Sequence, residues 1–451
     1  MSVHTAESPV PAASTPSDPD AKDKNRPPRG FKKLLGGNRA LSGGALLLVS
    51  NTLVNLGNYL YNLVLGRWLG PEAFADVSLI ITLFLVFTLV AMTMQTVVAR
   101  FAATESVGET PGPRLAGLRS YTVRWAWIIG IAAGLTVIVG APAWQAFFHT
   151  QSYWPFVILG VAIPAYFAQA VDRGMLQGMM RFGLLALSYQ AEMWTRLASG
   201  ITLVALGFFI NGAVASLSIS IFAMWLVSLQ VTRYLTGNGV WGTERRQATI
   251  AYAAPVAVAM IGQIVINNSD VLLVKHFFPA AEAGQYAALA LIGRIVFFAT
   301  WSVVTVLLPS VAQRQHQGQP HRHLLWLSLG LVLGASLVVS GGAFFFNQLI
   351  VDMLFGPAYL SVAPLLWMYA LATTLFAAAN VFITYRLSLG QHVGSWLALA
   401  AGVLQVIGII FFHRSLQEVV VVQIIIMTGL VLVMTLYELV IQRRERAHKP
   451  A

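Results

Sequence analysis

Apolar runs of about 18 residues or more recur along nearly the whole chain, each long enough to cross a bilayer as an α-helix. They fall near 42–66, 75–100, 120–141, 153–176, 183–206 and 209–234, and again near 249–275, 284–311, 323–346, 360–386, 392–412 and 417–441. No soluble fold accommodates this pattern. Hydrophobic residues make up 57% of the chain and charged residues 10%, against about 25% charged in an ordinary soluble domain. Too little polar side chain remains to cover a water-facing surface. In lipid the backbone must satisfy its own hydrogen bonds, which helices do. The expected fold is therefore all-α and integral to the membrane, with about 12 transmembrane helices.

A polar break, TGNGVWGTERRQ, divides the runs into two sets of six. The expected organisation is a disordered basic tail over 1–39, a six-helix bundle over 40–235, a linker over 236–248, a second bundle over 249–441 and a short basic tail over 442–451. The first tail is rich in Pro, Ala, Ser and Asp before it turns basic, a composition that buries no core. A long polar stretch precedes the first apolar run, which argues against a cleavable signal peptide.

The positive charges follow the same count. One face receives the basic N-tail, Arg100, Arg114, Arg119, Arg173, Arg181, Arg233, Arg245, Arg246, Arg314, Arg322, Arg386, Arg443, Arg444, Arg446 and Lys449; the other receives Arg67, Lys275 and Arg414. Cytoplasmic loops carry the excess of Lys and Arg, so both termini are expected in the cytoplasm. The formal charge of +11 thus reports membrane sidedness, and the lipid bilayer, not nucleic acid, is the expected partner.

An internal repeat links the halves. Gly66-Arg67-Trp68-Leu69-Gly70-Pro71-Glu72-Ala73-Phe74 overlies Lys275-His276-Phe277-Phe278-Pro279-Ala280-Ala281-Glu282-Ala283 at a shift of 209 residues. At that shift the end of span 2 falls on Leu307-Leu308-Pro309 at the end of span 8. Six spans per half give both halves the same orientation, so the bundles are expected to be related by a pseudo-two-fold axis along the membrane normal. Such a pair encloses a central cleft and can rock.

The phrase LGRWLGPEAFADVSL after span 1 resembles the R-x-L-G-P-E-x-F-G-x-Y signature of the polysaccharide (O-antigen type) repeat-unit flippases. HFFPAAEAGQYAAL after span 7 resembles its echo in the second half, and Ala75 departs from the family's glycine. That family belongs to the multidrug/oligosaccharidyl-lipid/polysaccharide exporter superfamily. The resemblance implies a transporter in a bacterial plasma membrane. It would flip an undecaprenyl-diphosphate-linked oligosaccharide by alternating access, with other polysaccharide assembly proteins as candidate partners. The alternative is a cation-coupled multidrug exporter of the same superfamily, disfavoured by the scarcity of acids within the spans.

Polar residues inside spans are costly and mark interior faces or wet cavities. Asn51, Asn55, Asn58 and Asn62 recur at helical spacing on span 1, and Gln263, Asn267 and Asp270 on span 7. These stripes are candidates for binding sugar hydroxyls in a cavity, or for bonding neighbouring helices together. They match best at a shift of 212 residues. Arg294 in span 8 is a candidate bidentate ligand for a diphosphate, with Asp270 as its ion-pair partner or as a site for a coupling ion. Glu192 and Arg196 stand at i, i+4 on span 5, either as a self-neutralising pair or as an ion-coupling acid beside an anion site. Asp172, Arg173 and Arg181 are expected at the interface, and Pro255 is expected to kink span 7. Enzymatic chemistry finds no support. There is no cysteine, hence no thiolate metal site; no P-loop occurs, and no histidine has metal-ligand spacing beside a carboxylate within a span. No cofactor is expected.

Overall fold

The computed structural model describes residues 39–106, 111–232, 239, 241–296, 319–391 and 393–447, together with 303, 307, 311, 314, 315 and 317. The basic N-tail, Leu308, Pro309 and Arg233 lie outside these residues. In chain order the helices are α1 (Arg39–Glu105), α2 (Pro111–Val139), α3 (Ala141–Phe148), α4 (Trp154–Gly178), α5 (Phe182–Leu203) and α6 (Phe209–Thr232) in the first half. The second half contains α7 (Thr243–Phe277), α8 (Ala280–Gly293), α9 (Arg322–Phe345), α10 (Asn347–Phe355), α11 (Leu366–Ser388), α12 (Val393–Phe411) and α13 (Leu416–Ala447). A π turn, Val204–Phe208, joins α5 to α6, and a 3-10 helix, Pro357–Leu365, leads into α11.

Eight described helical stretches are long and apolar enough to cross a membrane, and two of them are double-length: Leu46–Glu105 has 60 residues and Phe182–Leu229 has 48. At 1.5 Å per residue, neither can be one crossing of a core about 30 Å thick. Each folds back at a glycine. Gly70 (φ 73, ψ 171) and Gly207 (φ 87, ψ 13) break the helical run, and Gly70's conformation is essentially closed to residues with a Cβ. Eight stretches thus become ten crossings. The remaining two are α7, with 35 residues, and the segment that begins with α8, in which Val303, Leu307 and Val311 are also helical. The fold is an all-helical membrane protein of about 12 spanning helices in two bundles.

Packing reproduces the repeat but changes its register. A Cβ on Gly57 would meet Met193 of α5 at 2.2 Å, and one on Gly262 would meet Leu399 of α12 at 2.9 Å. The first and fifth helices of each half therefore touch at equivalent places. The shift is 205 residues for the first helices and 206 for the fifth, not the 209 of the loop signature or the 212 of the polar stripes. Short helices also recur: α3 follows the third span of the first half and α10 the third span of the second. Neither is long enough to have stood out among the apolar runs.

Buried apolar side chains form one core in the first half, including Leu79, Phe156, Leu159 and Trp241, and one in the second, including Leu325, Phe376, Phe382 and Met434. A third core joins the halves around Phe74, Val274, Tyr286, Phe355 and Tyr359. It lies toward the face away from the termini, here the distal face. Large apolar residues elsewhere point outward, such as Val139 (77% exposed) and Phe345 (77%), as lipid-facing surfaces do. The expected linker is partly structured. Helix α7 already begins at Thr243, and Trp241 is buried in the core of the first half. Pro255 lies within α7, and its side chain is outside the described residues.

Candidate functional site

Most of the polar residues singled out within the spans gather in two buried clusters, one in each half. In the first half, Glu192 midway along α5 accepts hydrogen bonds from two guanidiniums. Arg196 Nη2 donates to Oε1 at 2.5 Å and Arg173 Nη2 to Oε2 at 3.0 Å. Arg196 also donates to Asn58 Oδ1 of α1 (3.1 Å) and toward Ser220 of α6 (3.4 Å). Arg173 donates to Ser188 Oγ at 3.0 Å and lies 4.0 Å over the Tyr189 ring. Two cations thus share one anion inside the bundle. A charge in hydrocarbon costs about 2.5 kcal/mol or more, and this network lowers that cost by saturating most donors.

In the second half, Asp270 of α7 is 1% exposed and lies among α8, α11 and α13. Its Oδ2 accepts from Tyr369 (2.8 Å), Tyr286 (3.1 Å) and, more distantly, Gln423 (3.5 Å). Oδ1 faces Arg294 at 3.6 Å, beyond hydrogen-bond length. Arg294 Nη2 instead donates to the Asn267 carbonyl. Gln423 donates to Tyr286 at 2.6 Å, and Gln405 of α12 reaches Ser269 at 3.1 Å. A small cavity opens beside Arg294, Asn267, Tyr369, Thr373 and Gln423; it is large enough for about one water.

The nine residues expected at the site separate into groups. Asn58, Glu192 and Arg196 join the first cluster; Asn267, Asp270 and Arg294 join the second. Gln263 bonds Asn380 of α11 at 2.8 Å, so its side chain ties two helices together. Asn51 and Asn55 are exposed and have no side-chain hydrogen bond among the described residues. Arg173 and Asp172 are buried against neighbouring helices, 4% and 1% exposed. Arg173 neutralises Glu192, while Asp172 accepts from Arg119 (2.8 Å) and Thr232 (2.8 Å). They turn inward because α4 packs against α1, α2 and α6. Arg181 alone of that group is exposed.

Sequence reasoning named Arg173 without its partner Glu192 and missed Tyr369 and Gln423, whose types and spacing carry no distinctive pattern. Tyr286 had a signal, since it occupies the final position of the AGQY echo. The Asp76–Lys275 pair was also missed; each residue stood at a span end and looked like an ordinary loop charge. Among the described residues no group of three or more His, Asp or Glu side chains is placed to hold a metal.

A family model of polysaccharide biosynthesis proteins matches residues 40–315, which is more than half of the chain. A search of curated protein sequences finds no significant match. Among solved structures, an inward-facing multidrug resistance MATE family transporter of the MOP superfamily superposes with a TM-score of 0.71 at 13% identity, covering 85% of this chain and 95% of that one. An outward-facing transporter of the same description gives 0.60 at 16% identity, covering 93% and 98%. A MOP superfamily transporter from Pyrococcus furiosus, described as having a binding pocket of reverse polarity, gives 0.61 at 14%, covering 90% and 97%. At such identities the structures establish a common two-bundle fold, and the sequence match establishes the family: the chain belongs to the polysaccharide biosynthesis protein family of multi-pass membrane transporters.

Proposed function

We propose that this transporter flips an undecaprenyl-diphosphate-linked oligosaccharide from the inner to the outer leaflet of a bacterial plasma membrane, with both termini cytoplasmic. The two bundles rock to expose a central cleft alternately to each side. Membership of the polysaccharide biosynthesis family carries this reading. The first-half cluster supports it, because two arginines against one glutamate leave a positive excess suited to a diphosphate.

In this reading Arg196 and Arg294 engage the diphosphate. Asn51, Asn55, Asn58, Gln263 and Asn267 offer amides to sugar hydroxyls. Glu192 and Asp270 are the carboxylates available for ion coupling. Asp270 suits that task better, since Glu192 already holds two guanidiniums whereas Asp270 Oδ1 accepts no hydrogen bond. The conformation is read as open toward the termini. The shared core lies on the distal face, while near the termini the polar and ring contacts between halves come from α7 and the residues just before it, such as Arg245 to Glu105 (3.4 Å) and Arg100 over Tyr252.

The test is the lipid-linked oligosaccharide content of a deletion strain, with sidedness read by an impermeant sugar-modifying enzyme. Accumulation on the cytoplasmic face with loss of surface polymer is expected. Normal glycolipid levels with new sensitivity to cationic drugs would instead identify a multidrug exporter, the reading to which the fold of the MATE transporters lends weight.

A further inference from the structure

At the distal end of the seam, Asp76 of α1 and Lys275 of α7 form an ion pair of 2.7 Å between the halves, with both side chains 3% exposed. Asp76 is held in place from its own half, because its Oδ2 accepts the backbone N–H of Gln151 at 3.0 Å. Lys275 comes from the other half, and the next residue, His276, stacks on Phe147 with ring centroids 4.1 Å apart. Around the pair, Tyr359 donates to the Gly66 carbonyl (2.7 Å) and Arg67 to the Met353 carbonyl (3.0 Å). These neighbours are neutral or half-exposed contacts. Among the described residues the ion pair is the buried charged link across this seam, and buried ion pairs act more convincingly as registry or switch elements than as sources of stability.

We propose that Asp76–Lys275 is the latch that closes the transporter on its distal face, and that it must separate for the cleft to open there. Three physical points carry this. A buried carboxylate and ammonium attract each other strongly only while water is excluded. If the halves part, water enters and solvates both charges, so the pair stabilises the closed arrangement steeply and the open one hardly at all. The residues also lie on rigid helices of opposite halves, so rocking separates them directly. Finally, the pair occupies one end of a long antiparallel contact whose other end is Arg100 over Tyr252, which makes α7 the element that senses both faces.

The latch rests on the alternating-access reading above, but its test requires no substrate. The chain has no cysteine, so a single reporter, Ala75→Cys, can be placed at a buried position (2% exposed) beside the pair. Labelling by a membrane-impermeant maleimide applied to the distal side then reports opening. Lys275→Met and Asp76→Asn are each expected to raise the labelling rate about tenfold or more. Lys275→Arg should leave it near the parent rate, and the exchange Asp76→Lys with Lys275→Asp should restore protection. Unchanged labelling in both neutralised variants would overturn the latch. Raised labelling in Lys275→Arg and in the exchange would also overturn it, by showing that only packing at the seam was disturbed. If the labelling behaves as expected while the deletion strain shows no glycolipid defect, the latch stands and the proposed substrate fails.

Discussion

The two halves share a helix plan but solve the problem of buried charge differently. In the first half one carboxylate, Glu192, is gripped by Arg173 and Arg196 at 3.0 and 2.5 Å. In the second, Asp270 faces Arg294 at 3.6 Å and relies on two tyrosines and a glutamine. The first cluster is tight and carries excess positive charge. The second is formally neutral, looser and adjoins a cavity. A tight, saturated network resists rearrangement because any change must break charge-assisted bonds. A loose one leaves a carboxylate oxygen without a hydrogen bond and so has room to respond. The repeat thus supplies two similar scaffolds, and the side chains assign them different tasks.

The ends near the termini show the same divergence at lower stakes. In the first half Asp172 of α4 gathers Arg119 of α2 and Thr232 of α6. In the second, Glu438 of α13 gathers Arg386 of α11 and Arg322 of α9. The third, fourth and sixth spans are tied in both halves, yet the acid has moved from the fourth to the sixth. Only the tie is repeated.

The sharpest way to break the contrast is Glu192→Gln. It leaves two buried guanidiniums without a counter-charge, and losing one partner of a buried pair costs about 3–5 kcal/mol. A large fall in the thermal stability of the purified protein is expected; an unchanged melting curve would mean that the arginines find water. Next in size, Arg294→Ala is expected to abolish export, tenfold or more, with the protein still present in the membrane. Sidedness of the lipid-linked oligosaccharide reads this directly, and full activity would remove Arg294 from the site. Asp270→Asn retains the shape and an acceptor for Tyr286 and Tyr369, so folding should survive while the dependence of transport on pH or sodium changes. An unaltered ion response would make Asp270 a structural partner like Glu192. Gly70→Ala forces a Cβ into a backbone region that suits glycine, costing about 1–3 kcal/mol, and its effect should appear in stability with little change in ion dependence. Smallest is Tyr369→Phe, which removes one hydrogen bond to Asp270 at about 1 kcal/mol and should shift the ion response slightly.

Much of the fold was legible beforehand for a simple reason. Lipid imposes helices and a minimum length, so the apolar runs fall on the described spanning helices; the run near 183–206 corresponds to α5 and its π turn. The i, i+4 relation of Glu192 and Arg196 was legible too, because both lie on one helix and local geometry fixes their distance. The partner of Arg173 was not legible, since its burial depends on how α4 packs, which no local pattern reports. The stripe on α1 proved only half informative: Asn58 joins a network, whereas Asn51 and Asn55, on the same helical face, are exposed.

By itself the sequence determined an all-helical membrane protein of about twelve spans in two bundles, since these follow from hydropathy and spacing along one dimension, and its signature loops resembled those of the family. Only the tertiary structure decided which charges meet. Arg173 is brought to Glu192 across α4 and α5, Tyr369 to Asp270 across 99 residues, and Lys275 to Asp76 across the seam between the halves. Those pairings depend on helix rotation and register in three dimensions, which a linear pattern of apolar runs leaves free.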